Sequence, residues 1–316
     1  MIRIDGIKQH LKDANETLFF QRQLEEVEAK LYEFKKKELK YRMYIPVSNR
    51  DNPGANTITY RMFNKVGMAK VIANYASDLP RADVYGQEFS QTVKSIASSF
   101  GYSQQELRAA QMANTPLENM KADAVRRAIR EKESGIAWNG DSEHNLSGFL
   151  TNTNIPTVAA ANGADPVSPL WVNKTADEML TDISTLVTTV RTQSSGIHEA
   201  DTLLLPIAQY NLLAQTPRSS MSDVTLLNYI KDPKNAYGIT TIDWLPSELD
   251  SAFTSETEDG MIAYERTNEV LEQRIPMEMM TYPMQARNLE FVVPVEARHG
   301  GVVIRYPLGI CIMTGI

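Results

Sequence analysis

The sequence predicts an α+β protein, and three observations carry that prediction. Apolar residues recur at helical spacing over residues 16–40, 116–138 and 175–190. Alternating runs rich in β-formers lie apart from them, at 57–63, 93–100 and from Leu289 onward. Helix, apolar strand and helix then follow one another within about 160–265, the pattern of a compact α/β subdomain. A chain of 316 residues suits two domains or one large one, and 42% hydrophobic residues suffice for a sizeable core. The net charge of −7 argues against holding nucleic acid by bulk charge. One cysteine, Cys311, excludes an intrachain disulfide framework, and His10, His144, His198 and His299 are too scattered for a metal cluster. No apolar run approaches the ~20 residues of a membrane span. The charged start, Met1 to Asp5, lacks an apolar signal core, so the chain reads as a soluble intracellular product.

The first helical signal is a seam of Phe20, Leu24, Val27, Leu31 and Phe34, closed by Lys35, Lys36 and Lys37 where cations suit a helix C-terminus. It fits a helix on its own domain or an arm on a neighbouring subunit. Pro46 to Gly54 is loop-rich. Thr57 to Phe63 alternates as a strand, and the β-prone run Ala69–Tyr75 offers it a partner in an extended hairpin closed by Leu79-Pro80. Such an excursion has few residues for a core and needs something else to lie on. Val93–Phe100 is a further strand. Ser103 with Glu106 forms a capping box opening a helix through Met112. Thr115-Pro116-Leu117-Glu118 opens the next, with Leu117, Met120, Ala124, Val125, Ala128 and Ile129 on its apolar stripe. That helix runs to about Trp138 and stops at Asn139-Gly140-Asp141.

Residues 151–173 read as a linker. Thr175 with Glu178 is a third capping box, opening a helix that turns Met179, Leu180, Ile183, Leu186, Val187 and Val190 inward. A strand, Thr202–Pro206, and a helix, Ala208–Gln215, follow. Residues 241–296 hold twelve acids and three bases. The C-terminal runs 291–295, 302–305 and 310–313, around a His299-Gly300-Gly301 turn, read as a β-meander.

Catalytic motifs are missing: there is no GxGxxG opening a helix, no phosphate-binding Walker loop, no HExxH and no GxSxG. Asp141, Glu143 and His144 bunch two acids with an imidazole, but turn chemistry explains them better than a metal or acid–base site. Lys65 and Lys70 read as solvated charges on the hairpin, Cys311 as inert packing, and Met277, Met279, Met280 and Met284 as core or subunit-contact filling. No catalytic, cofactor-binding or metal residue is assigned, and no cofactor is expected.

Order and spacing now point to a family. Glu131–Asp141 followed by Leu146-Ser147-Gly148-Phe149-Leu150, then Leu203–Pro206 with Gln209–Leu213, and finally Gly301–Ile310 near Gly315-Ile316, resemble the major capsid proteins of tailed bacteriophages. The resemblance spans about residues 45–316. It implies an HK-97-like capsid fold, shared with encapsulins. The parts would be an N-terminal arm (1–45), an extended E-loop hairpin (46–80), a P-domain with a β-sheet and a long spine helix at 116–138 (81–155 and 266–316), and an α/β A-domain (156–265). It further implies a structural protein, not an enzyme. Hexamers and pentamers would close an icosahedral shell around double-stranded DNA with sparse, non-specific contact. Portal proteins, and scaffolding or decoration proteins where used, would be the other partners, with no membrane. The location would be the virion, after synthesis in the host cytoplasm. No long charged coiled coil precedes residue 45, so a fused, cleaved scaffold is not expected. The alternatives are an encapsulin-like compartment around a cargo peptide, or an enzyme built on Asp141, Glu143 and His144.

Overall fold

Capping boxes fix where two of the helices begin. The computed structural model describes residues 34–71, 79–113, 117–164, 167–219, 221, 223–235, 237–249 and 259–316. The helix expected over 16–40 lies outside the described residues as far as 33. Over 34–40 it is corrected: those residues carry no regular structure. Three consecutive lysines repel one another there, and Leu39 is the one apolar residue between Phe34 and Tyr41.

From α1 (Tyr41–Tyr44) and β1 (Val47–Ser48) the chain passes into a hairpin. β2 (Thr57–Val66) pairs antiparallel with β3 (Asp83–Thr92), from Thr57 opposite Thr92 to Val66 opposite Asp83. β2 thus takes 83–92 as its partner and not the expected run Ala69–Tyr75, of which 69–71 form no strand and 72–75 lie outside the described residues. Cross-strand contacts decide it. Tyr60 stacks on Phe89 at 5.2 Å, and Arg61 Nε bonds Glu88 at 2.6 Å. The Phe63 ring lies over Gly86, where a Cβ would come within 3.0 Å of it.

β4 (Lys94–Ser103) follows and pairs antiparallel with β12 (Glu290–His299) over its whole length. The other edge of β12 is shared by β10 (Met277–Thr281) and β11 (Gln285–Arg287). Pro294, which has no N–H to give, points its backbone into the gap between them, and its carbonyl accepts the Tyr282 N–H. α2 (Gln104–Ala113) opens with the expected box, Glu106 N–H donating to Ser103 Oγ and Ser103 N–H to the Glu106 carboxylate, each at 3.1 Å. α3 (Leu117–Asn139) lays Val125 and Ile129 on Val295, Ala297, Ile96 and Phe100. The Thr115 cap lies outside the described residues. The stripe needs correction: Met120, Ala124 and Ala128 are exposed, and the buried line runs Val125, Ile129, Glu133, Ile136. Alanines carry too little side chain to mark a face, so an aspartate at 124 would meet solvent rather than the sheet.

A second, five-stranded sheet has the order β5 (Thr157–Ala159), β14 (Ile310–Thr314), β8 (Gly260–Tyr264), β6 (Thr202–Pro206) and β7 (Thr241–Leu245). α4 (Ala176–Gln193), capped by Thr175 and Glu178 as expected, buries all six of its predicted residues against one face. At about 1.5–3 kcal/mol each, those side chains anchor the layer. α5 (Ile207–Gln215) and α6 (Leu226–Lys231) join them. The other face, with Leu204, Leu245, Ile262 and Tyr264, meets Tyr41, Tyr44, Trp138 and Phe149. The linker expected over 151–173 holds β5 and the fully buried Trp171. Nor is the C-terminus a meander. β12 pairs β4, β13 (Val302–Ile304) pairs β9 (Leu271–Arg274), and β14 enters between β5 and β8. Gly301, at φ +74°, breaks the path after β12 and sends the chain to a different sheet.

His299 sits fully buried at that break. The Gly301 N–H donates to its Nδ1 at 2.9 Å, so the ring proton is on Nε2, 2.6 Å from the Gln273 amide. An amide oriented with Oε1 toward the ring satisfies both groups. Burial first, then the nearby Arg42 guanidinium, hold the imidazole pKa down at about 4. The unfolded chain protonates His299 near pH 6.5, whereas the fold resists until about pH 4. Stability should therefore fall as pH drops through that window, by on the order of 3 kcal/mol. Urea midpoints of isolated subunits between pH 7 and 4.5 test this, with His299→Gln expected to flatten the slope. Equal slopes in the two proteins would refute it.

Candidate functional site

Two features could carry function, the turn after α3 and the hairpin. In the turn, Gly140 takes φ +72° and Asp141 bridges to Leu146. Phe149 N–H then bonds Ala137 O and Leu150 N–H bonds Trp138 O, each at 2.9 Å, folding the chain back along the helix end. Gly148 permits the approach, since a Cβ there would stand 2.2 Å from the Gly140 nitrogen.

Asp141, Glu143 and His144 do converge, their ligand atoms all within 4.8 Å of one another. Yet Lys132 Nζ bonds Asp141 Oδ2 at 2.9 Å and His144 Nδ1 lies 3.0 Å from Oδ1. Lys132 chiefly, with His144, pulls the Asp141 carboxyl down to about 2. The Asp141 carboxylate is thus already paired with an ammonium, and its Oδ1 also accepts the His144 backbone N–H, so it serves the turn. Lys65 and Lys70 are exposed on the hairpin. Cys311 is buried, its thiol pushed up to about 11 by that burial. Met279 packs against the α3 core, while Met280 and Met284 are half-exposed.

Among the described residues the hairpin's hydrogen bonds to the body lie at its root. Ile58 is buried, Val93 N–H bonds Asn56 O at 2.9 Å, and Arg298 Nη2 bonds Asn56 Oδ1 at 3.0 Å. Gln91 Nε2 donates to Ser147 Oγ at 2.8 Å and Thr92 Oγ1 to Asn145 O at 2.9 Å, so the root rests on the α3 turn. Farther out, the Arg305 guanidinium stands over the Tyr60 ring at 5.9 Å. Beyond that contact Phe63, Val66, Met68, Val71, Val84 and Tyr85 are exposed, several of them large. A cleft of about 910 Å³ opens beneath them, walled by Phe63, Tyr85, Phe89, Arg305 and Tyr306. An apolar projection without a core can be stable only if another surface covers it. The outgoing strand is legible in the sequence; β3 is not, because Asp83, Gly86 and five polar residues dilute it. A glycine facing Phe63 across ten paired residues is the signal that could have found it.

Among the described residues no helix is long and apolar enough to cross a membrane. The chain matches no curated protein sequence. Solved structures are similar in fold. The capsid of Myoviridae Phage XM1 aligns at 18% identity and TM-score 0.80, covering 95% of this chain and 99% of that one. The capsid of a native GTA particle aligns at 11% identity and TM-score 0.62, covering 92% and 94%. A virus-like particle from Pyrococcus furiosus aligns at 13% identity and TM-score 0.55, covering 86% and 90%. The fold is therefore the α+β capsid fold of HK-97 type. Residues 67–316 also match the family described as major capsid protein, which takes in β3, the four- and five-stranded sheets and every helix from α2 onward. On that match the chain belongs to the major capsid protein family, as a structural shell protein and not an enzyme.

Proposed function

We propose that this subunit assembles into hexamers and pentamers that close an icosahedral shell around double-stranded DNA in a virion. The carrying observation is the hairpin, ten residue pairs long, held at its root and apolar toward its tip. Laid on an adjacent copy, it gives each subunit one contact made and one received, a heterologous arrangement that closes into rings. In this reading β2–β3 is the E-loop, α3 and the β4–β12 sheet form the P-domain, and the five-stranded sheet with α4–α6 forms the A-domain. Residues 1–45 are the arm. Subunits are made in the host cytoplasm. A portal completes the shell, with scaffolding or decoration proteins where the virus uses them. Net charge −7 keeps DNA contact sparse, so containment is mechanical.

Electron microscopy of the purified protein tests this. Closed particles are expected from the intact chain, and soluble, folded, unassembled subunits once residues 60–89 are replaced by a short Gly-Ser turn. Particles of normal form from the excised variant would refute the hairpin's role.

A further inference from the structure

Among the described residues β4 pairs with β12 alone. Its inward backbone groups belong to residues 94, 96, 98, 100 and 102, and those of 95, 97, 99, 101 and 103 point away from β12. Three contacts fix this assignment. Gly101 O accepts Lys121 Nζ at 2.8 Å and Ser103 N–H donates to Glu106, both on the outer edge. Pro294, opposite Ser99, turns its carbonyl the other way, to Tyr282. The far end of the edge is thus closed by side chains from α2 and α3. The near end is open at Ser95, Ala97 and Ser99, all three exposed.

An open edge of this kind invites pairing, and proteins usually block it with charge, proline or a bulge. Here the run Ser95–Ser103 contains no charged residue and no proline, and its ladder has no register shift. The open triplet reads Ser-Ala-Ser, the same in both directions about Ala97. Two copies laid antiparallel would set Ser95 against Ser99 and Ala97 against Ala97, with side chains too small to clash. The charges agree with that orientation. Lys94 stands exposed at the open end, and the antiparallel orientation sets each lysine opposite Phe100 of the other copy, so the two like charges stay apart.

We propose that the β4 edges of two copies pair antiparallel about a two-fold axis through Ala97, joining two β4–β12 sheets into one. This rests on the shell reading and adds a second contact to it, distinct from the hairpin. So short a pairing buries far less than the roughly 1,200–2,000 Å² of a stable complex. It should therefore form in the multivalent particle, where many such contacts act together, and not between dilute subunits.

Cysteine at the axis tests it. Residues facing each other across an antiparallel pair have Cα atoms about 4.5–5.5 Å apart, within disulfide reach. Ala97→Cys in particles under mild oxidation should give a disulfide-linked dimer on a non-reducing gel, while Ser95→Cys alone gives at least tenfold less. The native Cys311 is buried and should not compete. Particles that form without the 97–97 link overturn the pairing and leave the shell reading intact. If the wild-type chain forms no particles, the shell reading fails, and the same oxidation of concentrated subunits still decides the edge. Ala97→Pro supplies an independent check. Its lost N–H points outward, so the β12 ladder is kept. Folded subunits with at least a tenfold loss of particles are expected, and wild-type particle yield would overturn the proposal.

Discussion

Asp182→Ala is expected to unfold the α4 layer, with a loss of about 3–5 kcal/mol. Asp182 is 3% exposed in the middle of α4. Its Oδ2 takes the Lys174 ammonium at 2.5 Å and the Trp171 indole N–H at 2.9 Å. Lys174 and Trp171 belong to the strap that enters α4, and both side chains are buried. Truncating the aspartate leaves an ammonium without its anion and an indole without an acceptor. The second loss alone costs about 1–3 kcal/mol. The pair need not stabilise relative to an apolar one, because desolvating two charges offsets most of their attraction. Lys174→Met with Asp182→Leu should therefore recover most of the loss. Urea unfolding of isolated subunits decides both points: a single variant within 1 kcal/mol of wild type would remove the argument.

Gly148→Ala should cost at least about 3 kcal/mol, the upper range for overpacking, because nothing near it can move aside. The added methyl would meet the Gly140 nitrogen at 2.2 Å, Asn139 C at 2.4 Å and Trp138 O at 2.6 Å, all backbone. Relief requires the chain to leave the helix end. That would break the Phe149 and Leu150 hydrogen bonds and open the cluster of Trp138, Phe149 and Tyr264. Ser147 would move too, and with it the hairpin root. Soluble yield and melting temperature are the readouts; a variant melting within about 2 °C of wild type would show that the turn has slack.

Much of this fold is legible in the sequence. The boxes Ser103–Glu106 and Thr175–Glu178 placed two helix starts, because a cap is local chemistry and needs no tertiary context. The buried face of α4 was complete because Leu, Ile, Val and Met occupy it. Where alanine alone marked a position, as at 124 and 128, periodicity had nothing to weigh. Strand partners were the other failure. β3 is polar and the sequence favours a more β-prone run in its place, since register depends on what stands opposite and not on the strand itself. The three C-terminal strands looked like neighbours because they are consecutive, yet each pairs in a different place. At the Asp141, Glu143 and His144 cluster the residue types suggested chemistry. Lys132, nine positions upstream yet 2.9 Å from the carboxylate, is invisible in the sequence as the group that pairs it.

The position of β14 sets a timetable for biosynthesis. It fills the gap between β5 and β8, so neither of those edges has its neighbour until the chain through Thr314 has left the ribosome. At ~5–20 residues per second, the roughly 150 residues after β5 take about 10–30 s to make. During that interval the α4 layer lacks Cys311 and Met313 from its core, and the hairpin, already synthesised, projects from an unfinished body. A nascent chain could not yet offer a finished surface to its neighbours. Late insertion of one strand is therefore expected to delay completion of the five-stranded sheet to the last step of synthesis.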